Sequence, residues 1–494
     1  MNRLNRRQFI GGSVAAGIAL ATPGSKVRGA NNDIRLGVIG VGSSVKIGGM
    51  GKKEIRAHLK IPGIRFTALC DCDKAHLMPE IERLREHNPS IRAYTDMREL
   101  LDDKNVDAVI VTTPNHWHAL ATIWACQAGK DVYVQKPTAH TIFEGRKMVE
   151  AARKYKRIVQ APHGPRERTG FAEAFEYIRQ GKLGRILYAH GLNYKPRETI
   201  GKVNGPQPIP QSLNYDLWCG PADKRPLTRE YLHYDWHWDW NTGNGDLGNM
   251  GIHYMDGCRW GLGQNTLPRH VASLGGRFGY EDDGETPNTQ IIFLDYKPAP
   301  ILFEVRGLPK SKAQRGSRWR ASDMDTCTGI QIGTIIRCEN GYVTGRAGGG
   351  KAVAYDNSGN VIKEFMPTTP DLHTNFLDAV RSRRAEDIIA PVLQGHLSAS
   401  LVHLSNISYR LGKQASSEEI REAVKGEKTV ADAFDRFLTH LDANEIDLKR
   451  TPVRMGPMLT FDPQKERFTG AFSESANMFV SRNYREPYVV PEKV

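Results

Sequence analysis

The stretch Val109–Pro137, VIVTTPNHWHALATIWACQAGKDVYVQKP, decides the fold. The apolar run Ala108–Val111 at its start reads as a buried parallel strand. Thr112–Asn115 interrupts that run, because Pro114 cannot continue a central strand. Residues Ala119–Ala128 read as a helix with Gly129 as its cap. A second strand, Asp131–Val134, delivers Gln135-Lys136-Pro137 at its C-terminal end. Ligands of open parallel sheets bind at that edge, so Lys136 is aimed at a ligand crevice.

Outward from this unit the alternation of strand and helix continues. Ile34–Ile39 is a strand running into Gly40-Val41-Gly42, two glycines that permit a tight turn and close approach of a pyrophosphate. The third glycine of such a fingerprint is left open among Gly48, Gly49 and Gly51. Ile64–Leu69 forms the next strand and ends at Asp71, whose carboxylate would accept from ribose hydroxyls and repel a 2′-phosphate. NAD is therefore expected over NADP. Helix Met97–Leu101, strand Val106–Val111, helix Ile142–Tyr155 and strand Arg157–Ala161 complete a doubly wound parallel sheet over residues 31–164.

Thr113-Pro114-Asn115-His116 and Gln135-Lys136-Pro137 resemble the paired motifs of the glucose–fructose oxidoreductase / inositol dehydrogenase (Gfo/Idh/MocA) family, with Gln135 in place of a glutamate. The resemblance implies an NAD(P)-dependent enzyme acting on a sugar or polyol, with Lys136 beside both nicotinamide and reacting hydroxyl. It places Gly40, Gly42, Asp71, Thr113, Pro114, Asn115, His118, Gln135 and Lys136 at the cofactor. Of His116, Trp117 and His118, one is expected to face the nicotinamide. A second α/β domain with an open, mainly antiparallel sheet is implied for residues 165–434, receiving substrate and meeting a partner subunit in a homodimer or homotetramer. Strands are expected at Ile186–Leu192, Ala272–Phe278, Gln290–Asp295, Ala299–Val305, Thr334–Cys338 and Ala352–Tyr355, and closing helices at His373–Arg381 and Gly395–Leu411. Residues 435–494 read as an extended tail.

The second informative stretch is Trp236–Trp260, WHWDWNTGNGDLGNMGIHYMDGCRW. Asp246 suits a helix N-cap, and residues 246, 249 and 253 share one helix face. The family carries Asp-x-x-x-His on such a helix, which maps its acid/base histidine onto His253 and its aspartate onto Asn249. Lys136, His253 and Asn249 are thus the candidate catalytic set, with His253 as base and Lys136 steadying the alkoxide. Gln135 and Asn249 each remove a negative charge, which should make His253 harder to protonate. Asn193, Tyr194, Lys195 and Arg197, which leave the strand beginning at Ile186, and Trp240 join Lys136 and His253 as candidate substrate contacts. Trp236, Trp238 and Trp240 are either a sugar platform or interdomain packing. No metal site is expected, since His116 and His118 lack a third ligand at suitable spacing.

The 494 residues carry a formal charge of +13 and 39% hydrophobic residues. No basic run with interleaved aromatics accompanies that charge, so nucleic acid is not an expected partner. Residues 1–30 contain Asn5-Arg6-Arg7-Gln8-Phe9-Ile10 and a weakly apolar run, the form of a twin-arginine export signal, too short to span a membrane permanently. A periplasmic or extracellular location, reached already folded, favours a captive, internally recycled NAD. The seven cysteines show no framework spacing and read as mostly buried thiols, with room for one disulfide. Three functions are in play: an exported sugar oxidoreductase, an NAD-dependent glycoside-cleaving enzyme working by oxidation, elimination and re-reduction, and a non-catalytic sugar-binding relative.

Overall fold

Two sheets carry the chain in the computed structural model, which describes residues 33–43, 48–167, 169–316, 318–348, 350–367 and 371–494. The first contains β1 (Ile34–Ile39), β2 (Ile64–Cys70), β3 (Arg92–Tyr94), β4 (Ala108–Val111), β5 (Asp131–Val134) and β6 (Val159–Gln160). All pair in parallel, in the order β3-β2-β1-β4-β5-β6. β4 and β5 are buried throughout, which is why both lack alternation. The order reverses between β1 and β4, and a crevice opens beyond their C-terminal ends.

The helix after β4 spans Asn115–Gln127, four residues longer at its start than the apolar pattern indicates. Pro114 precedes it at φ −57°, a position where a fixed φ suits the chain and no N–H is required. Gly129 follows at φ +77°, as its reading as a terminator requires.

The second sheet centres on β7 (Ile186–Tyr194), parallel to β10 (Ile301–Arg306) and antiparallel to β11 (Ile332–Cys338). Its other members are β8 (His270–Gly276), β9 (Thr289–Asp295), β12 (Gly341–Arg346), β13 (Ala352–Tyr355), β14 (Val361–Phe365), β15 (Lys413–Ala415), β16 (Val453–Met455), β17 (Leu459–Asp462) and β18 (Arg467–Thr469). All of their pairings are antiparallel. The expected mainly antiparallel second domain is present.

Three expectations change. The helix expected at 373–381 spans Leu372–Ser382 and packs on the first domain, with Phe376 and Leu377 against Ile34, Leu36 and Tyr133. The boundary at 435 falls inside helix Lys428–Ala443. Phe434 and Phe437 of that helix cover Leu274, Phe278, Ile291 and Phe293. The tail is not merely extended: it supplies β16–β18, and Tyr488 and Val490 return to the first domain's core. An assembly formed through this face of the sheet would have to displace Phe434 and Phe437.

The signal segment lies outside the described residues. No helix among the described residues is long and apolar enough to cross a membrane. All seven cysteines are free thiols, five of them buried, so the disulfide left open above is not formed.

Candidate active site

At the cofactor end, Gly40 and Gly42 both take φ +88°. A Cβ on Gly40 would stand 2.8 Å from the Thr113 nitrogen, and one on Gly42 2.5 Å from the Gly48 oxygen. The third glycine is Gly51: a Cβ there would lie 2.2 Å from the Gly40 oxygen and 2.6 Å from that of Val41. Its bareness lets helix Met50–His58 approach the turn closely, which is the third glycine's part in a dinucleotide fingerprint. Asp71, just after β2, accepts from the Val41 and Gly42 N–H groups at 2.8 and 3.3 Å. A cavity of about 810 Å³ runs from Gly40, Gly42 and Asp71 to Lys136 and His253. The glycine cradle, the acidic end of β2 and the reach of this cavity fit a dinucleotide.

Thr113, Pro114, Asn115, Trp117, His118 and Gln135 line the middle of the cavity. Asn115 donates to Asn244 Oδ1 at 2.9 Å, tying the loop to the second domain. The His118 ring lies between the carbonyl oxygens of Thr113 (2.8 Å) and Pro137 (2.7 Å), which hold it in place, and burial pushes it down to about 4. His116 turns away onto the Trp218 carbonyl.

At the far end, Lys136 Nζ donates to the Asn249 carbonyl and, at 3.1 Å, to Asn249 Oδ1. Asn249 lies in a π-turn, Leu247–Gly251, that precedes helix Ile252–Gly261. Burial, followed by the charges of Lys195, Arg197 and Lys53, brings Lys136 down to about 7. Gln135 accepts from the Lys136 N–H at 3.2 Å and donates Nε2 to Glu54 Oε1 at 2.8 Å. The Gly164 N–H donates to His253 Nδ1 at 2.9 Å. A backbone N–H can only donate, so neutral His253 carries its hydrogen on Nε2. Burial, with the charges of Lys136 and His163, holds His253 well below the usual histidine range.

Lys136, Asn249 and His253 therefore converge, as do all the expected cofactor residues. Asn193, Arg197 and Trp240 do not reach this cavity. Asn193 is fully buried and donates to the Asp246 carbonyl. Arg197 is ion-paired with Asp246. Asp246 makes no side-chain cap; Arg197 and Trp238 take its two oxygens. Trp240 instead borders a separate cavity of about 400 Å³, over Arg410. Alternation along WHWDW does not survive folding, because Trp236–Trp238 forms a helical turn. The wall near Lys136 is supplied by Lys195, Tyr234, Trp236 and His237. Burial and the Arg197 charge lower Lys195 to about 8. Of the four candidates that leave the strand beginning at Ile186, Lys195 alone lines the cavity, whereas Glu54 gave no local signal.

Residues 34–163 match the Gfo/Idh/MocA oxidoreductase family's NAD-binding Rossmann fold, and residues 183–275 match its C-terminal α/β domain. Inositol 2-dehydrogenase of Salmonella paratyphi B is 27% identical over 186 residues, 37% of this chain and 52% of that protein. Glycosyl hydrolase family 109 protein 1 of Shewanella sp. is 28% identical over 180 residues, 34% of this chain and 38% of that protein. The chain thus spans about half or less of the length of these curated relatives. The crystal structure of the WlbA dehydrogenase from Bordetella pertussis, in complex with NADH and UDP-GlcNAcA, shares the fold. Its TM-score is 0.53 at 19% identity, covering 76% of this chain and 97% of that one. Over residues 34–163 and 183–275 the chain thus matches the two domains of the Gfo/Idh/MocA oxidoreductase family, and the first of them is an NAD-binding Rossmann domain.

Proposed function

We propose that the protein is an exported oxidoreductase that oxidises a hydroxyl of a sugar, sugar acid or glycoside, with NAD held tightly and recycled within each cycle. The observation that carries this is the Lys136 amine, lowered to about 7 and held by Asn249 beside His253 in a dinucleotide-sized cavity. Bound NAD supplies the hydride acceptor. A neutral amine has two hydrogens and one lone pair. Asn249 accepts both hydrogens, which leaves the lone pair of Lys136 for the substrate's hydroxyl proton. His253 donates from Nε2 to the same oxygen and steadies the alkoxide as charge develops. These proton roles reverse those implied by the resemblance, and the neutral residues Gln135 and Asn249 are the reason. Carboxylates there would keep Lys136 protonated.

Mass spectrometry of nucleotide released on denaturing the exported protein tests the cofactor part. Near-stoichiometric NAD(H) is expected; a protein that neither holds nor binds NAD refutes it. Lys136→Ala should abolish turnover while ligand-dependent stabilisation persists, and undiminished turnover would sink the assigned role. Replacing Arg6 and Arg7 by lysine should retain the protein in the cytoplasm. Unaltered export would refute the twin-arginine route.

A second reading, glycoside cleavage by transient oxidation, elimination and re-reduction, draws support from the likeness to the glycosyl hydrolase family 109 protein. Release of a reducing sugar from a glycoside without added nucleotide separates it from simple oxidation.

A further inference from the structure

Two groups of three among the described residues bring histidines and a carboxylate together: Glu54, His58 and His373, and Asp73, His76 and His233. In the first group the facing atoms are taken. His58 Nδ1 meets the Glu54 carbonyl at 2.8 Å, and His373 engages Glu54 and Asp371 through its two nitrogens. Gln135 holds the remaining Glu54 oxygen.

The second group differs. Asp73 caps helix Lys74–Arg85, its Oδ1 accepting from the Ala75 N–H at 2.9 Å. Its Oδ2 faces His233 Nε2 at 2.9 Å and His76 Nδ1 at 3.6 Å. His76 is 6% exposed, and its Nδ1 has no hydrogen-bond partner. A buried ring nitrogen left unsatisfied is costly and calls for an explanation. Tetrahedral zinc with bonds of about 2.0–2.2 Å places its ligand atoms roughly 3.3–3.5 Å apart. The two measured separations bracket that value.

We propose that Asp73, His76 and His233 bind a divalent transition cation of the Zn²⁺ type, with a fourth position open to water. Two imidazoles and one carboxylate are a donor set suited to zinc and unsuited to Mg²⁺ or Ca²⁺. The ligands join two domains. His233 sits in the helical turn Leu232–Asp235, on the segment that crosses the end of β2, where Asn214 donates to the Cys72 carbonyl at 2.9 Å and Lys74 to that of Ser212 at 3.0 Å. The Asp73 N–H donates to Asp71 at 2.9 Å, and the His233 carbonyl lies 3.0 Å from where a Cβ on Gly48 would stand. The cation therefore fastens this crossing segment over the glycine turn and slows escape of the dinucleotide. That consequence rests on the NAD reading above; the cation site itself does not.

The test titrates ZnCl₂ into chelator-treated, untagged protein by calorimetry, with metal analysis. One zinc per chain is expected, weakened at least ~10-fold by His76→Asn and by His233→Ala, and unchanged by His373→Gln. His233 is on the partly exposed segment, so its variant keeps the test available should the buried His76 variant not fold. No saturable binding, binding indifferent to the first two variants, or binding lost in His373→Gln would overturn the site. Chelation should then speed NAD release at least ~10-fold. An unchanged release rate with zinc binding intact overturns the clamp, and zinc stoichiometry measured without nucleotide keeps that failure separate from failure of the NAD reading.

Discussion

Asn249→Asp restores the carboxylate that the family carries and should switch Lys136 off at neutral pH. The side-chain oxygen that would come to share the carboxylate charge, Asn249 Oδ1, lies 3.1 Å from Lys136 Nζ. A full charge at that distance interacts with the ammonium by about 5 kcal/mol at an effective dielectric of ~20, an upper bound for a cavity that water enters. Neighbouring opposite charges shift side chains by ~1–3 pH units in practice, at about 1.36 kcal/mol per unit. Lys136 should therefore move from about 7 to ~8–10. At pH 7 its neutral fraction falls from about one half to between ~10% and ~0.1%. The assay needs no substrate: the rate at which a small acylating reagent modifies Lys136 is followed against pH by peptide mass spectrometry. Labelling at pH 7 should fall ~5- to 500-fold in the variant and recover at alkaline pH. An unchanged midpoint, or one displaced downward, would refute the assignment of Lys136 as the base.

Gln135→Glu would set a second carboxylate against Glu54, where the present amide donates at 2.8 Å. A lower melting temperature is expected, with NAD affinity reduced; a gain in stability would show that Glu54 is not a fixed partner. Gly51→Ala forces a Cβ to 2.2 Å from the Gly40 oxygen, an overpacking that costs ~1–3 kcal/mol and should weaken NAD at least ~10-fold; calorimetry that finds normal affinity would refute Gly51 as the fingerprint's third glycine. His373 is lowered by burial, but hydrogen bonds with Glu54 and Asp371 raise it on balance to about 9. Its folded value exceeds its unfolded one, so its stabilisation is complete below about pH 6.5 and is lost as pH rises through about 9, with a ceiling of ~3 kcal/mol before solvent screening. The difference in urea stability between the wild type and His373→Gln should shrink across that window, and a constant difference refutes it. Unfolding in the absence of reductant should expose seven titratable thiols; five would reveal a disulfide.

The first domain was legible because its signals are local. Val109–Pro137 holds two buried strands, the helix between them and the lysine at the ligand edge, and the structure adds one helical turn at Asn115. Gly40, Gly42 and Asp71 likewise sit where strand ends place them. Distances across the fold were not legible. Three glycines between 48 and 51 look equivalent until the positions of the Gly40 and Val41 carbonyls are known. Arg197 and Asn193 follow the right strand, but the buried Asp246 draws both inward and leaves Lys195 on the wall. β14 carries no strand signal, because four of its five residues are exposed and show no alternation. Helix Leu372–Ser382 packs on the first domain although it follows the second in sequence, because an amphipathic face does not name the surface that covers it.

Gln135 and Asn249 look, in the sequence, like two independent losses of charge. In the fold they are parts of one arrangement. Glu54 already places a carboxylate against position 135, so a glutamate there would meet its like charge across 2.8 Å. The amide resolves that conflict: it donates to Glu54 and accepts from the Lys136 N–H, fixing the backbone that presents the amine. Asn249 then holds the amine while stabilising its charge less than a carboxylate would, and Lys195 and Arg197 disfavour protonation further. His253, fixed by the Gly164 N–H with its hydrogen on Nε2, is left as donor rather than acceptor. Removing two carboxylates thus need not disable proton transfer. Under the proposed roles the base is the lysine rather than the histidine, and the enzyme is expected to gain activity as pH rises through about 7, when Lys136 loses its proton.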